Sequence, residues 1–170
     1  CKAGVFMNRK TYSRMINTVN SSKPLKYSVT ICDSVLTKIA YAVYPALIIC
    51  LAVERNSDIV RAVAVPGIAF VILSVFRYLF NAPRPYEVFG MQPVIKKDTK
   101  GKSMPSRHVF SIFVIAVTVF YFCHPAGICL GAAGVIMAAA RVAGGVHFPA
   151  DVAVGAAAGI VSGIAGFWLI

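Results

Sequence analysis

The sequence has little negative charge and little charge of any kind. Only 6 of its 170 residues are Asp or Glu. Charged residues make up 14% of the chain, whereas an ordinary soluble domain has about 25%. Hydrophobic residues make up 58%, and the mean hydropathy is +0.75. These values exclude intrinsic disorder, collagen-like repeats and an ordinary soluble domain. We therefore predict an all-α fold, a polytopic membrane helical bundle whose length fits one domain.

The scarcity of acidic residues and the spacing of the cysteines limit the cofactors. No cluster of Asp and Glu could hold Mg²⁺, and no Cys/His group has zinc spacing, so we predict no metal and no cofactor. The five cysteines are odd in number and lack paired spacings, which favours free thiols over a disulfide framework. Four of them lie in or beside apolar runs, where a thiol packs as a small hydrophobe: Cys32, Cys50, Cys123 and Cys129.

The net charge of +11 is concentrated in two blocks of sequence. Residues 1–26 contain six Lys or Arg and no acid, and residues 77–107 contain seven against two acids. The apolar segments around both blocks favour anionic lipid headgroups or phosphate as partners, and no nucleic acid. We predict a basic N-terminal amphipathic segment, residues 1–28, ahead of a single transmembrane domain, residues 29–170. An interfacial helix on anionic lipid and a solvated cytoplasmic tail both fit this segment.

Five apolar segments predict about five transmembrane helices, since a helix needs about 20 apolar residues to cross a bilayer. The pair His124-Pro125 divides an uncharged stretch that is too long for one span. The predicted spans are 35–53, 59–80, about 108–123, about 126–142 and 150–170. The last is rich in Gly and Ala, as close helix contacts in lipid prefer. Because spans alternate sides, loop 81–107 and turn 142–149 must lie on the same side.

These two connections carry side chains suited to binding phosphate. Arg77 and Arg84 present planar guanidinium groups that match phosphate oxygens, although two snorkelling arginines at a helix end are the alternative. The segment Ser103-Met-Pro-Ser-Arg-His108 marks a helix start, with Ser103 as a possible N-cap. Such a terminus offers free N–H groups to an anion. A lone His there is usually an interfacial hydrogen-bonding residue, but this one has polar neighbours.

The turn after the fourth span holds a His and an acid. Gly144-Gly145 ends one helix and Pro149 begins the next, with His147 and Asp151 four residues apart. An acid that holds one ring nitrogen leaves the other free, which a nucleophilic or general-base His requires. A buried ion pair that joins two helices is the alternative. Asp151 is the only acid in the last 70 residues, and ionisable groups inside a membrane are usually functional.

Three motifs together resemble the signature of the type 2 phosphatidic acid phosphatase superfamily, which includes membrane lipid phosphatases and soluble vanadium haloperoxidases. They are Arg77-x6-Arg84-Pro85, Pro105-Ser106-Arg107-His108 and Arg141-x5-His147-x3-Asp151. The resemblance implies that His147 is a nucleophile that forms a phosphohistidine, that Asp151 orients it and that His108 is the general acid. It further implies phosphate-binding roles for a basic and polar set: Arg77, Arg84, Ser106, Arg107 and Arg141.

Two positions depart from the family's pattern. Arg77 stands where Lys is usual, and Arg107 replaces the usual Gly before His108, which fits an altered phosphate cradle or an extra contact to a diphosphate. Membrane members of the family usually have six spans, one more than predicted here. No catalytic group is lost by these differences.

The resemblance implies an integral-membrane, metal-independent phosphatase that acts on a lipid phosphate or diphosphate. Undecaprenyl diphosphate is the first expectation, with phosphatidic acid and phosphatidylglycerophosphate as alternatives, and the bacterial plasma membrane is the expected location. A non-enzymatic protein that binds or transports lipid phosphates is the second hypothesis. The positive-inside rule assigns both basic blocks to the cytoplasmic side, whereas the resemblance implies an active site on the outer face. The sequence predicts no particular oligomeric state.

Overall fold

The chain folds as helices throughout the part that the computed structural model describes, residues 7–169. This confirms the predicted all-α class. The helices are α1 (Arg9–Ser21), α2 (Lys23–Val53), α3 (Ile59–Phe80), α4 (Pro85–Phe89), α5 (Arg107–Phe122), α6 (His124–Ala143) and α7 (Pro149–Ile164), followed by a π-helical turn (Ala165–Leu169).

The bundle is that of a multi-pass membrane protein, built around α5. Four segments are long and apolar enough to cross a bilayer: Lys23–Val53, Ile59–Phe89, His124–Ala143 and Pro149–Leu169. The fifth predicted span is α5, which has only 16 residues. Because α2, α3, α6 and α7 all pack against it, α5 is mostly covered by protein. Large apolar side chains on the outer helices are exposed, as expected for a surface that faces lipid.

The contact between α5 and α7 depends on glycine. A Cβ atom at Gly155 would lie 2.7 Å from the carbonyl oxygen of Ser106, and one at Gly159 would lie 2.6 Å from that of Phe110. Any larger side chain would therefore collide with the backbone of α5. This confirms the close helix contact predicted from the small residues of the last span, and it holds the start of α5 next to the start of α7.

The N-terminal helix α1 is amphipathic, but its apolar face packs on protein. Tyr12, Ile16 and Val19 are buried. They join a cluster with residues of α4 and of the loops that follow it, among them Phe89, Val94, Ile95, Val146 and Phe148. The helix therefore does not insert this face into lipid, nor is it a solvated tail. The helix boundary falls at Ser22, and the proposed division into residues 1–28 and 29–170 stays a prediction. Val5 and Phe6, which belong to the predicted amphipathic pattern, lie outside the described residues, as does Cys1.

The two connections expected on one side of the membrane are in direct contact. Gly144 accepts hydrogen bonds from the backbone N–H groups of Val94 (3.0 Å) and Ile95 (3.2 Å). The N–H of Ser106 donates to the carbonyl of Asp151 at 2.8 Å. These bonds confirm the convergence that follows from counting spans.

The four cysteines that the structure describes are free, as predicted. Cys32 is half-buried, and the other three are exposed on the surface of the bundle. Packing as a small hydrophobe was predicted for all four, and only Cys32 is covered in part by the protein. A thiol is apolar enough to face lipid, so an apolar run does not distinguish the two environments.

Candidate active site

A polar cavity of about 360 Å³ lies where the end of α3, the loop before α5 and the His147 turn meet. Six cationic side chains and two histidines line it: Arg77, Arg84, Lys97, Lys100, Lys102, Arg107, His108 and His147. Among the described residues that line it there is no Asp or Glu. The cavity is therefore suited to an anion.

His147 is held at the wall of this cavity by Asp151. Its imidazole Nδ1 lies 3.5 Å from Asp151 Oδ2 and 3.4 Å from the hydroxyl of Ser103. The same carboxylate oxygen accepts hydrogen bonds from the Ser103 hydroxyl (2.5 Å) and the Phe148 N–H (2.9 Å). Asp151 is thus fixed in the first turn of α7, and it engages Nδ1, which leaves Nε2 of His147 for the cavity. Contacts of this length often tighten when a substrate binds.

Burial keeps the His147 side chain neutral. The residue is only 2% exposed. Loss of solvation lowers the pKa of the imidazole to about 4, with the charges of Arg84 and Arg141 acting in the same direction and Asp151 opposing them. At neutral pH the ring therefore carries a free electron pair, which is the form a nucleophile needs.

The turn that carries His147 is braced by α1. α6 ends at Ala143, Gly144 caps it and α7 begins at Pro149, as predicted. Gly145 has a φ of +74°, and a Cβ atom there would lie 2.6 Å from Ile16 Cδ1, so glycine is required on both counts. The buried Tyr12 hydroxyl donates to the Gly145 carbonyl at 3.1 Å. The N-terminal helix thereby fixes the backbone two residues before His147.

Arg77 and Arg84 are buried, so neither snorkels at a helix end. The Arg77 guanidinium donates to the carbonyl of Ser103 at 3.2 Å and also to that of Lys102. Arg84 donates to the carbonyls of Gly101 (3.0 Å) and Val146 (3.1 Å). Both side chains therefore fasten the loop before α5 while they line the cavity.

The start of α5 differs from the prediction in its N-cap. Ser106, not Ser103, occupies that position, because Ser106 has the extended backbone that precedes the helix. The Ser103 hydroxyl binds Asp151 instead, a role that the sequence did not indicate. The Ser106 hydroxyl is buried and has no hydrogen-bond partner among the described residues. An unsatisfied buried hydroxyl can donate a hydrogen bond to a ligand oxygen, but Ser106 is not among the residues that line the cavity, whereas its neighbour Arg107 is.

The next two residues continue the cavity wall. Arg107 is exposed, and its guanidinium lies 5.6 Å from the centroid of the Phe70 ring. His108 lines the polar cavity and also an adjoining pocket of about 170 Å³. The structure therefore places both residues where the polar cavity meets the apolar interior of the bundle.

Arg141 is the predicted site residue that the structure sets apart. Its side chain is not among those lining the cavity, and its Nε lies 2.5 Å from Oδ1 of Asp33 on α2. The sequence analysis did not identify this pair. The available signal was an acid directly before the first predicted span, residues 35–53, in a sequence with few acids.

Lys97 is a second cavity residue that sequence analysis counted only as part of a basic block. Its side chain is half-buried, and burial lowers the pKa of the ammonium to about 8, together with the charges of Arg84, Arg141 and Arg107. Its neighbour Lys96 is exposed. Within residues 7–169, no group of three or more His, Cys, Asp or Glu side chains is placed to hold a metal ion.

Comparison with known proteins gives one family match and several relatives. The family model described as "PAP2 superfamily" matches residues 58–170. The bacitracin transport permease protein BcrC of Bacillus licheniformis is 30% identical over 105 residues, which are 59% of this chain and 52% of BcrC. The match thus spans about half the length of that relative.

Two crystal structures share the fold. LpxE of Aquifex aeolicus superimposes with a TM-score of 0.72 at 23% identity, over 94% of this chain and 93% of LpxE. A transmembrane PAP2-type phosphatidylglycerolphosphate phosphatase of Bacillus subtilis superimposes with a TM-score of 0.57 at 16% identity, over 91% and 90% of the two chains. At these identities the likeness concerns the fold.

Proposed function

This chain belongs to the PAP2 superfamily, and on that premise we propose that it is a metal-independent, integral-membrane phosphatase that hydrolyses the phosphate ester or diphosphate of a lipid. The observation that carries the proposal is the arrangement around His147. A buried, neutral imidazole is backed by Asp151 at 3.5 Å and lines a cavity with six cationic side chains. Such a cavity stabilises the charge that spreads over phosphoryl oxygens during transfer.

In the proposed reaction, His147 Nε2 attacks phosphorus and forms a phosphohistidine. The bond from phosphorus to the leaving oxygen breaks, and His108 donates a proton to that oxygen. Water then attacks the phosphohistidine, the P–N bond breaks, and inorganic phosphate leaves while His108 takes up the proton from water. The phosphoryl oxygens are held by Arg77, Arg84, Ser106 and Arg107. Arg141, which pairs with Asp33, contributes its charge from behind the cavity wall.

Undecaprenyl diphosphate is the first proposed substrate, and phosphatidic acid and phosphatidylglycerophosphate are the others. The proposed location is the bacterial plasma membrane, in keeping with the bacterial origin of the relatives. In this proposal residues 29–170 form the phosphatase domain, and residues 1–28 support it through the contact of Tyr12 with Gly145.

The test is phosphate release from these three lipids by the protein purified in detergent. We expect His147→Ala to lower the rate by about 10³-fold or more, as loss of a nucleophile does, and to abolish a phosphorylated protein that is trapped by rapid quenching. His124→Ala is the matched control, because His124 is exposed at the start of α6, at the other end of the bundle. Full activity of His147→Ala would refute the mechanism. Lipid binding by the wild type without phosphate release would favour the binding or transport protein.

A further inference from the structure

The cavity carries more positive charge than one phosphate group needs. A phosphate monoester has a charge of about −1.5 to −2 at neutral pH, and six cationic side chains line the cavity. In the proposed reaction Arg77, Arg84 and Arg107 hold the transferred phosphoryl group, and the Lys102 ammonium lies 4.7 Å from the centroid of the Tyr78 ring. The charges of the remaining cations are available to a second anionic group.

Lys97 is the half-buried cation of this cavity, and no hydrogen bond or ion pair joins its ammonium to another described residue. A buried charge without a partner is costly. The lowered pKa of this ammonium, about 8, reflects the same loss of solvation and the same excess of neighbouring cations. An anionic group bound beside Lys97 would supply the missing counter-charge.

Lys97 lies on the His108 side of the cavity. Lys97 and His108 line the same cavity. The charged groups that act on His108 are Arg141, Lys97, His147 and Arg107, whereas those that act most strongly on His147 are Asp151, Arg84 and Arg141, so Arg141 is common to both and Lys97 belongs to the His108 group. In the proposed reaction His147 attacks the transferred phosphate and His108 protonates the leaving oxygen. The position beside His108 and Lys97 is therefore that of the leaving group.

The chemistry of the leaving group separates two substrate classes. Cleavage of a lipid diphosphate releases a lipid monophosphate, which carries negative charge at this position. Cleavage of a lipid monophosphate releases an alcohol, which carries none. On the basis of the proposed function, we infer that Lys97 binds the phosphate that stays on the lipid and so selects lipid diphosphates over lipid monophosphates.

The apolar surroundings of His108 agree with this orientation of the substrate. The polar cavity and the adjoining pocket share Arg107 and His108. That pocket shares Tyr41 and Phe70 with a further apolar pocket of about 240 Å³ between α2 and α3. A lipid whose retained phosphate lies beside Lys97 can therefore extend its tail from His108 into these two pockets.

The experiment compares two substrates that have the same tail, farnesyl diphosphate and farnesyl monophosphate. Because a hydrogen bond to a charged group contributes about 1.5–3 kcal/mol, we expect Lys97→Gln to lower kcat/KM for the diphosphate about 10- to 100-fold. For the monophosphate we expect a clearly smaller loss, because Lys97 then contributes only its charge to the cavity, and Lys97→Arg should restore part of the diphosphate rate. Lys96→Gln is the matched control, since it removes the same charge from the adjacent, exposed position.

Equal losses on both substrates, or no loss on either, would overturn the inference. Titration of the detergent-solubilised protein with inorganic pyrophosphate and with inorganic phosphate gives a second measurement that needs no turnover. Lys97→Gln should weaken pyrophosphate binding about 10-fold or more and weaken phosphate binding clearly less. If the wild type hydrolyses neither lipid, the proposed function fails, and this titration still decides whether Lys97 recognises a second phosphate. Equal weakening of both ligands would then count against it.

Discussion

The ion pair between Asp33 and Arg141 should be worth several kcal/mol to the folded protein. It joins α2 to α6, and its side chains are 13% and 4% exposed. Removing one partner of a buried pair leaves the other charge without compensation, at a cost of about 3–5 kcal/mol. Asp33→Asn keeps the shape of the side chain and removes its charge. We expect a loss of about 3 kcal/mol, at the low end of that range, because the Asp33 side chain retains some exposure.

The measurement is thermal unfolding of the protein in detergent, followed by the fraction that stays monodisperse after heating. For a chain of this length 1 kcal/mol corresponds to about 2–4 °C, so Asp33→Asn should lower Tm by about 6–12 °C. A double-mutant cycle with Arg141→Gln isolates the pair. The double variant should be less destabilised than the sum of the two single variants. Additivity within about 0.5 kcal/mol would refute the reasoning.

The exposed pair Asp58–Arg61 is the control for burial. The Asp58 Oδ1 and Arg61 Nη1 atoms lie 3.7 Å apart, and the two side chains are 35% and 38% exposed, respectively. Pairs of this kind contribute about 0–1 kcal/mol. Asp58→Asn should therefore shift Tm by no more than about 4 °C. Shifts of equal size at the two pairs would mean that burial is not what sets the strength of the Asp33–Arg141 contact.

Two further predictions concern packing at the start of α5 and the protonation of His147. Gly155→Ala should cost about 1–3 kcal/mol and lower phosphate release, because its Cβ would lie 2.7 Å from the Ser106 carbonyl oxygen; Gly131→Ala, with nothing within 4 Å, should be neutral or slightly stabilising. Equal Tm values for these two variants would contradict the clash. The pKa of His147 is about 4 in the folded protein and about 6.5 unfolded, so its stabilising effect is complete above about pH 6.5 and is lost as the pH falls toward 4. From pH 7 to pH 5 the wild type should lose about 2 kcal/mol more stability than His147→Gln; a difference that does not change with pH would contradict the shift.

Sequence reasoning succeeded where local chemistry decides the structure. Residues that favour or prevent a helix set three of the helix boundaries. These are the break at His124-Pro125, the end of α6 before Gly144 and the start of α7 at Pro149. The meeting of the two connections follows from the alternation of spans. These features needed no knowledge of which helix packs against which.

The features that sequence reasoning missed depend on contacts between distant residues. Asp33 stands out as one of few acids, directly before the first predicted span, but its partner Arg141 is more than 100 residues away. Lys96 and Lys97 are adjacent, yet only Lys97 enters the cavity. The loop that carries these two lysines is positioned by the hydrogen bonds from Val94 and Ile95 to Gly144. A loop has no periodicity, so the sequence does not indicate which of the two adjacent lysines points into the cavity. The periodicity of α1 identifies its apolar face, but it does not indicate whether lipid or the rest of the protein covers that face.

The contact of Tyr12 with Gly145 also bears on which side of the membrane the cavity faces. It places α1 on the same side as the cavity, so the described part of the N-terminal basic block lies on the same side of the bundle as the second block. The positive-inside rule counts Lys and Arg near span ends. The cations that line the cavity are explained by phosphate binding in the proposed function, so they do not indicate the orientation in the membrane. The exposed cations Arg9, Lys10, Arg14, Lys23 and Lys26 do not line it. They therefore carry the topological information on this side, and they predict a cavity that opens toward the cytoplasm, opposite to the outer-face position that the family resemblance implies.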